Sequence, residues 1–360
     1  MDPASLIPAS DAIPVAWGWF EVLSLLTFAL HLLLMNTVLG GAVFALVGQV
    51  RGQVHGQSLD TSRDLSKRLP IVLALTVNLG VPPLLFVQVL YGNFLYTSSL
   101  LMAVFWLGLV GTVMTAYALL YVWDFHFDSF SGPARTLCLG ASVALLLVSA
   151  FILVNNMSLM IRPEAWAAYF QNARGTLLNL SDPTLIPRYL HFVLAALAVG
   201  GLFVALSARL KARATGDLEA GAETVRQGLR WFTTATMAQM AVGLWWLMSL
   251  RREVMLTFMG DSVPATAVFL AALVLGLSAL TAGMRGRVEL TAWLTGATVL
   301  AMVGVRSFLR AASLAPYHSV SSLAVTGELS PLLVFLAALA VTLAVVVYLL
   351  KLYRQAGKEA

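Results

Sequence analysis

Between positions 69 and 123 the chain runs for 55 residues without one Asp, Glu, Lys or Arg, and no other feature limits its possible folds so tightly. A helix needs about 20 apolar residues to cross roughly 30 Å of hydrocarbon. The run is too long for one crossing. Gly92, Asn93, Thr97, Ser98 and Ser99 interrupt it, which predicts two spans joined by a hairpin over 91–99. Further uncharged runs cover 22–50, 136–161, 189–208, 231–250, 262–284, 290–305 and 329–350. Only 11% of the residues are charged and 59% are apolar, where soluble chains are about 25% charged. The prediction is an all-α, polytopic membrane protein. Residues 1–360 form one membrane domain of about nine transmembrane helices, near 16–50, 70–92, 98–123, 136–161, 184–209, 229–251, 262–284, 288–311 and 329–352.

Basic residues cross membranes poorly and mark the cytoplasmic side. With nine spans, one set of loops and the C-terminal tail holds 15 Lys and Arg, among them Arg51, Lys67, Arg135, Arg209, Arg230, Arg285 and Lys351. The other set holds 7: Arg162, Arg174, Arg188, Arg251, Arg252, Arg306 and Arg310. This orients a multi-pass protein of a bacterial inner membrane with its N-terminus periplasmic and its C-terminus cytoplasmic. The first residues lack a basic n-region, so the first span is expected to be retained. The net charge of +5 is scattered over short loops, which argues against nucleic acid as a partner. Cys138 is the only cysteine, which excludes internal disulfides and covalent c-type haem attachment. Outside the membrane, Trp166, Tyr169, Phe170, Leu177 and Leu178 alternate with polar residues over 163–182, as a helix lying in the interface would require.

Of five histidines, two share surroundings: His31 in HLLLMNTVLGGAVFAL and His191 in HFVLAALAVGGLFVAL, each followed nine residues on by Gly-Gly. This similarity predicts an internal four-helix repeat, helices one to four and five to eight. At 1.5 Å per residue His31 lies about 30 Å from Arg51 along its helix, and His191 about 27 Å from Arg209, so both sit near the outer face. A titratable group in a span is costly unless it pairs, faces a cavity or binds something, and imidazole is a common axial ligand of haem. His191 and His31 are therefore the candidate metal ligands. Met157, Met160, Met255 and Met259 supply candidate second ligands on the outer side. His318, in the outer loop after the eighth span, is either a surface residue or a haem or quinone contact, and Arg306 and Arg310, one turn apart near it, are candidates for haem propionates or a quinol head group. His55 and His126 read as solvated helix-end residues.

Together these pieces resemble subunit I of the cytochrome bd quinol oxidases over most of the first 210 residues. The resemblance lies in LTFALHLLLMNTVLG, GVPPLLFVQVLYGN, VSAFILVNNMSLMIRP and RYLHFVLAALAVGGLF. It implies one or two b-type haems, with His191 as ligand of the low-spin haem and His31 in the high-spin haem region, and quinol as substrate. The sequence departs from the family where oxygen chemistry is concerned. Its two third-helix glutamates fall at Ser99 and Leu107, its long quinol loop is reduced to about ten residues around 252–261, and its helix-seven methionine ligand has no counterpart over 263–278. The eighth span has Glu289 only at its inner end. The expectation is a haem b subunit of a respiratory quinol:acceptor oxidoreductase. It would work with other membrane subunits, lipid and quinone, and with a periplasmic c-type cytochrome of one or several haems or an iron–sulfur subunit. The alternatives are a bd-type oxidase with an altered high-spin site and a haem-free transporter or assembly subunit.

Overall fold

In the computed structural model the chain is described over residues 7, 8, 10–56, 58–217, 219 and 221–359, with side chains at 343, 346, 347, 349, 350 and 352–359 left aside. Helices α1 (Trp17–His55), α2 (Asp60–Leu101), α3 (Ala103–Phe125), α4 (Gly132–Met160), α5 (Leu185–Thr215) and α6 (Ala222–Met248) are followed by the one-turn α7 (Arg252–Leu256). Then come α8 (Val263–Met284), α9 (Val288–Leu314) and α10 (Ser330–Glu359). In hydrocarbon each backbone N–H must be satisfied within its own segment, and helix does this. Ser131 and Ser262 cap α4 and α8 by accepting from Ala134 N and Ala265 N, each with proline in the first turn. Gly56, at φ 65°, ends α1 by donating to the Gly52 carbonyl.

Among the described residues seven helices, α1–α5, α8 and α9, are long and apolar enough to cross a membrane. The other two long helices are α6, which carries Thr233, Thr234, Thr236 and Gln239, and α10, whose described apolar part is Ser330–Thr342. Large apolar side chains point outward, Leu107 on α3 being 73% exposed and Val274 on α8 64%. That is the inverse of a soluble fold and fits a surface meeting lipid.

The packing repeats. α1 packs on α2 as α5 packs on α6, α3 on α4 as α8 on α9, and α1 on α4 as α5 on α9. The two halves meet where α1 crosses α5. A Cβ on Gly40 would lie 1.8 Å from the Ala196 carbonyl oxygen, and one on Gly200 would lie 2.3 Å from Gly40 C, so backbone touches backbone there. One apolar cluster fills the end of the bundle near Arg63 and Arg135, with Leu69, Trp123 and Leu139 at its centre. Another, around Leu90, Phe94, Met160 and Phe258, fills the end that carries the histidines.

Two local expectations are corrected. No open hairpin loop forms over 91–99: α2 stays helical to Leu101 but is broken by non-helical angles at Tyr91 (φ −136°, ψ 34°), and α3 starts after a second break at Met102. Thr97 and Ser98 turn their hydroxyls back onto the Asn93 and Leu95 carbonyls at 2.7 and 3.0 Å, so they satisfy the helix rather than end it. Over 163–182 only Pro163–Phe170 is helical, as a 3-10 turn. The rest is pinned by Asp182, which accepts from Ser158 and Thr184 and pairs with Arg162 at 3.1 Å.

Candidate functional site at the histidine end

His31 rests on α2. Its Nδ1 lies 3.0 Å from the Thr76 carbonyl oxygen. A carbonyl only accepts, so Nδ1 carries the proton and the neutral ring presents a lone pair at Nε2. Gly80 makes the approach possible: a Cβ there would stand 2.9 Å from His31 Cε1. His191 repeats the arrangement on α6, where a Cβ on Gly243 would stand 3.1 Å from its Cε1. The nitrogens are used differently. The Gln239 amide nitrogen lies 3.3 Å from His191 Nε2 and donates to it, which leaves the ring proton on Nδ1, buried and without a partner among the described residues. Leaving such a donor bare costs about 1–3 kcal/mol. Trp246 packs against the His191 ring at 5.5 Å.

The arginines form the charged part of the site. Arg306 stacks over Phe28 at 4.3 Å, Arg310 over Tyr91 at 4.5 Å and Arg188 over Trp246 at 5.3 Å. Arg188, Arg310 and Glu21 lie within electrostatic reach of Arg306. Glu21, on α1, pairs with Arg310 at 3.8 Å and accepts from Ser307. Arg306 and Arg310 thus share the Glu21 carboxylate, while Arg188 has Asp182 as its nearby carboxylate and donates to Thr184 at 3.4 Å. Nε of Arg188, Nε and Nη1 of Arg310 and Oε2 of Glu21 are buried with no hydrogen-bond partner among the described residues. A buried guanidinium without counter-charge is expensive, so the cluster suits an anionic group.

Of the remaining candidates His318 borders the cluster through the Tyr91 ring, 5.5 Å away, and the methionines are placed elsewhere. His318 is held at both nitrogens, Nε2 donating to the Leu90 carbonyl at 2.9 Å and Nδ1 facing Ser10 Oγ at 3.5 Å. Met160 is fully buried in the apolar cluster and Met157 packs against it. Met259 lies in the π-turn Thr257–Asp261, 50% exposed. Met255 lies in α7. Among the described residues no group of three or more His, Cys, Asp or Glu side chains could hold a metal ion. Sequence reasoning missed Glu21, Arg188, Gln239, Trp246 and the two glycines. Arg188, one turn before His191, and Gly80, in NLGVPP, were the readable signals.

Fold and site define a class: a polytopic helical membrane protein of two similarly packed halves, each resting an intramembrane imidazole on a glycine of the next helix. In comparison with solved structures, the chain is similar to one in the structure of bd oxidase from Geobacillus thermodenitrificans, with a TM-score of 0.69 and 13% identity over 98% of this chain and 99% of that one. At that identity the likeness is one of fold, and it extends the resemblance read from the first 210 residues to nearly the whole chain. No family model and no curated protein matches the sequence.

Proposed function

We propose that the chain is a haem b-carrying membrane subunit of a respiratory quinol-oxidising complex, passing electrons to a periplasmic c-type cytochrome or iron–sulfur partner subunit. The observation that carries this reading is the forced tautomer of His31. A backbone carbonyl holding Nδ1–H is the usual second shell of a metal-bound imidazole, because it orients the ring and raises the basicity of Nε2. The donor set fits a haem. His31 Nε2 has no hydrogen-bond partner among the described residues, and Arg306 and Arg310 match the two carboxylates of a porphyrin. A bound haem would supply reversible one-electron storage. His31 would hold the iron, Thr76 would fix the ring plane, and Arg306 and Arg310 would bind propionates. His191 is a ligand through Nε2 only where Gln239 swings away, so His31 ranks ahead of it.

The test is the pyridine haemochrome spectrum of the purified chain beside His31→Ala and His191→Ala. Haem absorbance in the wild type, lost in His31→Ala, is the expected result; a wild type without it defeats the proposal. The fold likeness favours a second reading, a bd-type oxidase. Against it, Ser99 is occupied as acceptor for Asn156 at 3.3 Å and Leu107 points outward, so neither place offers a buried carboxylate for oxygen chemistry. Quinol-dependent oxygen consumption abolished by His31→Ala would decide for the oxidase.

A further inference from the structure

At the opposite end of the bundle α1, α5 and α6 enclose an open groove of about 650 Å³. Its mouth is lined by Arg51, Glu223 and Arg230, and its depth by Trp231, Leu194 and Ala238. From Glu223 to Ala238 the groove follows α6 for 15 residues, about 22 Å at helical rise, close to the length of one acyl chain with its head group. The charges are unbalanced. Glu223 is already paired with Arg226, while no ion pair is formed by Arg51 or Arg230 among the described residues. The groove is therefore cationic at its mouth and largely apolar in its depth, where Thr234 turns its hydroxyl onto the Arg230 carbonyl of its own helix at 2.8 Å.

We propose that it is a binding site for one anionic phospholipid. The phosphate sits between Arg51 and Arg230, and one acyl chain lies along Trp231, Leu194 and Ala238. A zwitterionic lipid fits the apolar part equally well, so selectivity comes from the two guanidiniums, each adding roughly fivefold to the preference for an anionic head group at a membrane surface. Its charged mouth is remote from the imidazoles, its deep end at Leu194 and Ala238 lies one turn from His191 and beside Gln239, and its occupancy is read without any haem signal.

Trp231 supplies the readout. The full chain is reconstituted in phosphatidylcholine vesicles containing a minor fraction of brominated phosphatidylglycerol or brominated phosphatidylcholine, and Trp231 quenching is taken as the difference from Trp231→Phe. The expected result is severalfold stronger quenching by the anionic lipid, abolished in the Arg51→Gln/Arg230→Gln double variant with unchanged circular dichroism. Native mass spectrometry should in parallel show phosphatidylglycerol retained by the wild type and lost from the double variant. Equal quenching by both lipids would reduce the groove to ordinary annular contact and overturn the proposal. So would a preference that survives the double substitution, or Trp231 emission that neither lipid quenches because a protein or quinone covers it.

Discussion

Three imidazoles at one end of the bundle differ in which nitrogen is engaged, and that difference sorts their roles. His31 has a proton fixed by a main-chain carbonyl and a lone pair left over; His191 has a buried nitrogen without a partner; His318 is bonded at both. His318 lies between the Tyr91 and Phe94 rings, each 5.5 Å away. Burial pushes its pKa below the ordinary 6.5, opposed by the bond to the Leu90 carbonyl. The folded state therefore binds fewer protons than the unfolded chain just below pH 6.5, so stability falls as the solution is acidified through that value and is fully present above it. His318→Phe keeps the ring packing but removes both the titration and the hydrogen bond. It should cost about 1 kcal/mol at mildly alkaline pH and flatten the acid-side dependence of the melting temperature. An unchanged pH profile would show that His318 does not carry it.

Among the elements, α1 and α5 depend on each other more closely than any sequence window suggests. The Gly-Gly pairs place Gly40 and Gly200 at the crossing, while Gly41 meets Leu69 of α2 and Gly201 meets Trp231 and Gly228 of α6. Gly200→Val would force apart backbones already in contact, a misfit of about 3 kcal/mol or more, and should turn a monodisperse detergent-solubilised protein into a broad or aggregated one. Gly92→Val, where an added Cβ meets nothing within 4 Å, is the control and should elute as the wild type. The repeat was readable because two copies of a motif survive in the sequence. The bend at Tyr91 was not, because glycine, asparagine and hydroxyl residues near a membrane boundary serve equally as hairpin formers and as helix residues bonding their own carbonyls. The segment after Phe170 was misread as helix for a related reason. Its apolar spacing is real, but the buried carboxylate of Asp182 ties the backbone in another conformation.

At the scale of the whole molecule the protein is a multi-pass membrane bundle with its functional candidates, three arginines among them, gathered at one end and the larger share of its Lys and Arg at the other. Crossing α6 and α10 as well as the seven apolar helices would give nine spans and put the two termini on opposite sides. Cys138 is buried and the only cysteine, so single cysteines introduced at Ser10 and Gly216 can be labelled in intact cells against a silent background. Ser10→Cys should react with an impermeant maleimide and Gly216→Cys only after lysis; the reverse pattern would invert the orientation.

The sequence alone determined that the chain is helical and membrane-embedded, that it carries an internal repeat and that His31 and His191 sit at matching positions, because hydropathy, charge bias and repeated motifs are written along the chain. Only the tertiary structure decided that Thr76 fixes the proton of His31 while Gln239 meets His191, and that Glu21 shares its charge with arginines more than 280 positions away. A tautomer or a counter-charge is set by whichever atom of another helix lies within about 3 Å, and no linear pattern encodes that proximity.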